Sequence, residues 1–264
     1  MALVLYDREE AEQEMEGGDG KMEAELCISL STSCSSEAPS SPSSSSTCSV
    51  DRVAVRRALQ HFEMLRSADK AGRADLNAGK AMRQQGMWLN RVKYFGHVPG
   101  VEVGDVFHFR VELCIVGLHG HIQGGISWIG GDDNKWGEPV ANSIVLSGGY
   151  EDDDSGERFV YHGAGGNHQN TARPGCYAQD QSLDRGNLAL ANAFLFQVPI
   201  RVIRGIESGF KKKSYRYDGL FRVTRYWDEV DGDGWTVYKF LVERKGMSFD
   251  KNEVAKNLRK YRTS

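Results

Sequence analysis

The chain has 264 residues, 40% hydrophobic and 26% charged, with a formal net charge of −3. That is an ordinary folded-protein composition. No apolar run approaches the roughly 18 residues of a membrane span, so no membrane partner is expected. Five cysteines without a CxxC pair argue against a cysteine zinc site and for an intracellular protein without disulfides.

Residues 1–50 read as a disordered tail. "MALVLY" turns acidic at Asp7, which excludes a secretory signal. An acidic stretch then leads into "SLSTSCSSEAPSSPSSSSTCS", too rich in serine and proline to bury an apolar core. Regulatory phosphorylation is the functional alternative for these serines. Residues 51–93 read as a helical lead-in. Val55, Leu59, Phe62 and Leu65 fall near helical spacing behind Asp51 as N-cap. "RADLNAGKAMRQQGMW" follows as a second helix capped by Asp75.

From about Pro99 the pattern becomes β-rich. "VFHFRVEL" alternates, with Phe107, Phe109, Val111 and Leu113 facing one way and His108, Arg110 and Glu112 the other. That predicts a strand, which would also carry Cys114. "SIVLSG", "ERFVYH", "PIRVIRG", "GLFRVTRYW" and "GWTVYKFLVER" predict further strands, interrupted by one helix at "DRGNLALANAF". "DGDG", Asp231 to Gly234, predicts a hairpin turn. The fold expected is α+β: a twisted, partly closed, barrel-like mixed sheet with flanking helices. "DKNEVAKNLRKY" predicts a terminal helix within a C-terminal extension over 247–264.

"LSGGYEDDDSGERFVYHGAGG", Leu146 to Gly166, concentrates unusual chemistry. Tyr150 and Tyr161 offer two aromatic faces, each able to stack on a flat ring for about 1–3 kcal/mol. Glu151 to Asp154 offer carboxylates, which accept hydrogen bonds from an exocyclic amine. Glycine lets backbone N–H groups approach a carbonyl. Together these suit an extruded pyrimidine bearing an amino group. The bland alternative is a hairpin with solvated acids and core tyrosines.

The wider sequence resembles the SRA-YDG domain, a PUA-like fold that binds methylated cytosine in DNA. The blocks are "VPGVEVGDVFHFRVEL", "IVGLHGHIQGGI", "ANSIVLSGGYEDD", "YHGAGG", "QDQSLDRGNLALANA", "PIRVIRG" and "YRYDGLFRVTRYW", the last carrying Tyr217-Asp218-Gly219. The version it resembles is that of plant histone-lysine methyltransferases, whose pre-domain helix is similar to "RADLNAGKAM". On this resemblance the domain spans 94–246. Tyr150 and Tyr161 match the stacking aromatics. Asp152 or Asp153 matches the acid that reads the Watson–Crick edge, with Asp153 favoured. Gly148 and Gly149 supply backbone beside the base. Gln123 in "HGHIQGG", with His121, matches the thumb loop that fills the hole left by the flipped base. Burying the methyl group contributes about 0.8 kcal/mol, so a methyl preference of roughly 5–50-fold is expected once shape exclusion is added.

The sequence departs from the family pattern at the pocket residue His162, where threonine is usual beside the second tyrosine and an imidazole either crowds the pocket or donates a new hydrogen bond, and at Gly120, where a basic residue is common and one phosphate contact is lost. The loop 167–179 is unusual in composition. Arg91, Lys93, Arg173, Arg185, Arg201, Arg204 and Lys211 to Lys213 put positive charge in the domain or at its edge, against the acid of the tail; the Lys211 to Lys213 run reads as a phosphate contact, a weak nuclear signal or a solvated loop. A metal site on His119 and His121 is the enzymatic alternative; HxH alone is a weak signal. The methyltransferase relatives carry a cysteine-rich module after this domain, and the twenty or so residues after Lys245 contain no cysteine. The reading is therefore a nuclear, non-catalytic reader of 5-methylcytosine in double-stranded DNA, without cofactor or metal, with histones or other chromatin proteins as further partners. The alternative is a degenerate domain retained as an interaction module for chromatin or methyltransferase partners.

Overall fold

A computed structural model describes residues 51–70, 72–91, 93–146, 156–166, 177–208 and 212–244. The predicted tail over 1–50 and terminal helix after 246 lie outside them.

Helix α1, Arg52–Ala68, begins where expected: Asp51 Oδ1 accepts from the Ala54 amide at 2.7 Å, satisfying one of the open amides of the first turn. Val55, Ala58 and Phe62 form its buried stripe. Helix α2, Ala74–Gln84, starts one residue earlier than its predicted cap. Asp75 sits inside the first turn, with Arg73 at the cap position making no side-chain bond. There the carboxylate favours the helix through the positive end of its dipole.

The predicted strand over 106–113 is corrected. Only Val106–Phe107 pairs as a strand, β1, and Arg110–Ile115 forms a short helix, α3. Glu112 decides the change: its carboxylate accepts from the amides of His108 and Phe109, which caps a helix start. Val111 through Ile115 are all buried, so a period of two and a period of 3.6 bury the same short run. Cys114 therefore lies in a helix, and burial pushes its thiol up to about 12.

The remaining elements follow the predicted order. They are β2 (Ile126–Ile129), β3 (Val140–Leu146), β4 (Arg158–His162), α4 (Arg185–Leu195), β5 (Ile200–Ser208), β6 (Lys212–Val230) and β7 (Thr236–Arg244). The β6–β7 hairpin turns at the predicted site, where Asp231 Oδ1 accepts from the Asp233 and Trp235 amides at 3.0 and 2.8 Å. Among the described residues these strands form one seven-stranded mixed sheet, ordered β2-β3-β5-β6-β7-β4, with β1 on β6. The β3–β5 pair is parallel and the others antiparallel. The path is open, with β2 and β4 at its ends and no ladder joining them among the described residues.

Helix α4 covers one side of the sheet. Ala189, Leu190, Ala193 and Phe194 share a core with Ile144, Val202, Phe221 and Phe240. The lead-in packs into the domain: Val55 joins Phe107, Leu113 and Tyr217, and Phe62 joins Met82, Val111 and Ile115. Arg52 also clasps the Asp105 carboxylate with two guanidinium nitrogens.

Candidate nucleic-acid interface

The predicted thumb loop runs between α3 and β2. Gln123 and Gly124 are exposed at its tip, while Leu118 and His119 are buried at its base. His121 is half-buried, its ring tilted on Trp128 at a centroid distance of 5.0 Å.

Three interior side chains fix this loop. Arg110, on the first turn of α3, donates Nε to the Ile122 carbonyl at 2.9 Å and Nη2 to the carbonyls of His121, at 3.2 Å, and Gly124. Its guanidinium also lies 5.6 Å from the Tyr215 ring centre. Burial pushes its pKa below the usual arginine value. His119 bridges the loop to β3, with Nδ1 2.8 Å from Ser143 Oγ and Nε2 3.0 Å from the Gly124 carbonyl. A carbonyl only accepts, so Nε2 carries the proton and Nδ1 accepts from the serine. Burial, then the nearby Arg110 charge, hold His119 well below its ordinary pKa and keep it neutral. Arg201 is 1% exposed and donates to the carbonyls of Leu118, Tyr94 and Gly96 at 2.8–2.9 Å. Burial pushes its pKa down to about 10.

Tyr161 lies on β4, at the other end of the strand path, yet it meets the thumb. An added Cβ at Gly125, the residue before β2, would stand 2.6 Å from the Tyr161 hydroxyl. Only glycine leaves that ring its place. Phe159 and Tyr161, two residues apart, share the core-facing side of β4. His162 therefore projects to the opposite face, where it is cross-strand from Lys239 and within electrostatic reach of Glu229. Burial, then Lys239, lower its pKa. Alternation thus directs the imidazole away from the Tyr161 ring rather than into its contacts.

Gly148, Gly149, Tyr150, Asp152 and Asp153 lie outside the described residues, between Leu146 at the end of β3 and Gly156 before β4. The two described flanks are tied to one strand: Arg204 of β5 pairs in register with Leu146 and donates Nη2 to the Gly156 carbonyl at 3.2 Å.

Two of the positive charges counted in the domain point inward. Arg201 is spent inside the protein on three carbonyls, and Arg204 is nearly buried and paired with Asp218. Arg91, Lys93, Arg185 and Lys213 are exposed; Arg173 and Lys211 lie outside the described residues. Gly120 also has a packing reason, since a Cβ there would fall 2.7 Å from Ser127 Oγ. The sequence reading gave no role to Arg110, which holds the loop carbonyls, or to Asp218, which pairs with Arg204. A polar residue in an alternating run signals a solvent face, and no local pattern marks an arginine whose partners are backbone carbonyls.

A mixed sheet with a pinned exposed loop beside a strand tyrosine defines a class. Residues 94–247 match the SAD/SRA domain model, and the chain belongs to that family. It is 44% identical over 199 residues to the histone-lysine N-methyltransferase family member SUVH9 of Arabidopsis thaliana, covering 70% of this chain and 30% of that protein. The structure of KRYPTONITE in complex with mCHH DNA, an H3(1–15) peptide and SAH superposes with a TM-score of 0.69 at 33% identity, over 76% of this chain and 44% of that one. The SUVH5 SRA–fully methylated CG DNA complex gives a TM-score of 0.50 at 44% identity, over 59% of this chain and 97% of that one. The chain thus spans about a third or less of the curated relatives it matches, and the match falls on their SAD/SRA portion.

Proposed function

We propose that this chain reads 5-methylcytosine in double-stranded DNA by extruding the base into a site walled by Tyr161, acting at chromatin in the nucleus. The reading assigns the chain no chemical step. One observation supports it most: the Tyr161 hydroxyl lies against Gly125, in the loop that bears Gln123, as a stacking wall beside a thumb requires. The same contact supports a barrel-like curl of the open sheet, since it brings together strands at opposite ends of the path. Gln123, exposed at the tip of a loop with a fixed base, is placed to enter the duplex and hydrogen-bond the orphaned partner base. Tyr150 is the second wall, with Gly148 and Gly149 beside the base and Asp153, or its neighbour Asp152, on the amino edge. His162 supports β4 from its far face. The SUVH5 and KRYPTONITE complexes with methylated DNA support the ligand class.

The test is base extrusion. A duplex with 2-aminopurine beside the methylated cytosine should brighten on binding, because unstacking relieves quenching. Gln123→Ala should reduce that signal. Tyr161→Ala, Tyr150→Ala and Asp153→Ala should each cut methyl-selective affinity about tenfold, the effect of losing ~1.4 kcal/mol. Wild-type binding with no fluorescence change would contradict extrusion.

A further inference from the structure

Asp218, the middle residue of Tyr217-Asp218-Gly219, is 5% exposed in β6. A carboxylate at that depth is costly unless donors surround it. Its oxygens accept from Arg204 Nη1, and from Arg216 Nε at 2.6 Å and Nη2 at 3.3 Å. Burial alone would raise its pKa; the two guanidinium groups outweigh that and hold it below the usual carboxylate range. Arg204 then reaches onward. It pairs in register with Leu146 at the end of β3 and donates to the Gly156 carbonyl at 3.2 Å. Its guanidinium lies 5.0 Å from the Phe159 ring centre and 5.6 Å from that of Phe221.

A second link starts from the backbone of the same residue. The Asp218 carbonyl accepts from Arg244 Nη1 at 2.8 Å. Arg244 Nε pairs with the Glu157 carboxylate at 2.7 Å, and the Arg244 amide donates to the Glu157 carbonyl at 2.8 Å. Gly156 and Glu157 are therefore held by two arginines, and Asp218 holds both.

We propose that Asp218 is a positioning residue for base recognition: through Arg204 and Arg244 it fixes where the chain enters β4, and so fixes Tyr161. This role rests on the reader function proposed above. Arg216 supplies the contrast. It pairs with the same carboxylate, but its side chain is 45% exposed and makes no bond to Gly156 or Glu157.

The test uses the full 264-residue chain with fully methylated and unmethylated duplexes, and reads the ratio of the two affinities. Asp218→Asn removes the charge and keeps the side-chain shape and the backbone carbonyl. The ratio should fall to near one, while unmethylated binding holds or rises as Arg204 and Arg216 lose their counter-charge. A purely structural loss would lower both affinities together and would overturn the role, as would a retained ratio. Arg216→Gln should keep the wild-type ratio; the same collapse in both variants would overturn the link through Gly156. If circular dichroism shows Asp218→Asn unfolded, Arg244→Gln decides: a reduced ratio with unchanged unmethylated binding supports the role, and an unchanged ratio overturns it. Hydrogen exchange without DNA separates this inference from the reader function itself. Amides over 157–161 should exchange faster in Asp218→Asn, and unchanged exchange overturns the positioning route even if wild type prefers methylated DNA. A wild-type chain with no methyl preference instead removes the reader function on which the role depends.

Discussion

The two ends of the proposed recognition site are fixed by different physics. The thumb loop is held from inside by Arg110, His119 and Arg201, whose partners there are chiefly backbone carbonyls. The entrance to β4 is held by an ion-pair network of Asp218, Arg204, Arg244 and Glu157. Dry bonds from cations to carbonyls are barely screened by salt, and removing one partner strands the other. The Arg244–Glu157 pair of that network lies nearer the surface and weakens with salt. The thumb should therefore be the stiffer element near neutral pH, and the β4 entrance the one tunable by ionic strength.

The largest expected break of that comparison is Arg201→Met. It strands the carbonyls of Leu118 and Gly96 and leaves that of Tyr94 with only Asn142 Nδ2 at 3.5 Å, at about 1–3 kcal/mol for each group left unsatisfied. Denaturant melts should show a loss of at least ~3 kcal/mol with no change in salt dependence. Arg110→Met should cost less, about 1–3 kcal/mol, since its loop is nearer the surface. It should raise hydrogen exchange over 121–125 while leaving the β6–β7 hairpin unchanged.

Acid sharpens the contrast. The folded pKa of His119 is depressed, so the unfolded chain takes up the proton first. Stability is then fully present above the unfolded value of about 6.5 and is lost as pH falls below it toward the folded pKa, at up to ~1.4 kcal/mol per pH unit. Asp218, also depressed, contributes stability above about pH 4 that is lost only as pH falls through its lower folded pKa. Melts between pH 7 and 5 should thus report His119 together with His162, whose pKa is also lowered, and His119→Asn should reduce that slope without abolishing it. The smallest effect is at the lead-in. Asp51→Ala removes one cap bond and should cost about 1 kcal/mol without altering either loop or DNA affinity.

The elements that were legible in the sequence carry local signals. Asp51 caps α1, the "DGDG" turn closes β6 on β7, and the small and apolar residues of α4 recur at helical spacing. The C-terminal part of 106–113 was not legible, because the fully buried run from Val111 fits both periods and only Glu112 reaching two preceding amides decides between them. The family blocks singled out Gln123 and Tyr161 as candidates, and the structure sets Gly125 of the Gln123 loop against the Tyr161 hydroxyl of β4. The supports were not. Arg201 and Arg204 carry the charge expected of phosphate contacts, but their partners come from segments far away in sequence, which nothing in the local pattern reports. His162 shows the same limit: its place beside Tyr161 in sequence becomes the opposite face of a strand in space.

The most direct test of the central claim is fluorescence anisotropy of the full chain with matched unmethylated, hemimethylated and fully methylated duplexes at near-physiological salt. The account predicts roughly 5–50-fold tighter binding to a methylated duplex, with the preference maintained as salt is raised and overall affinity declines. Equal affinity for all three duplexes would contradict it.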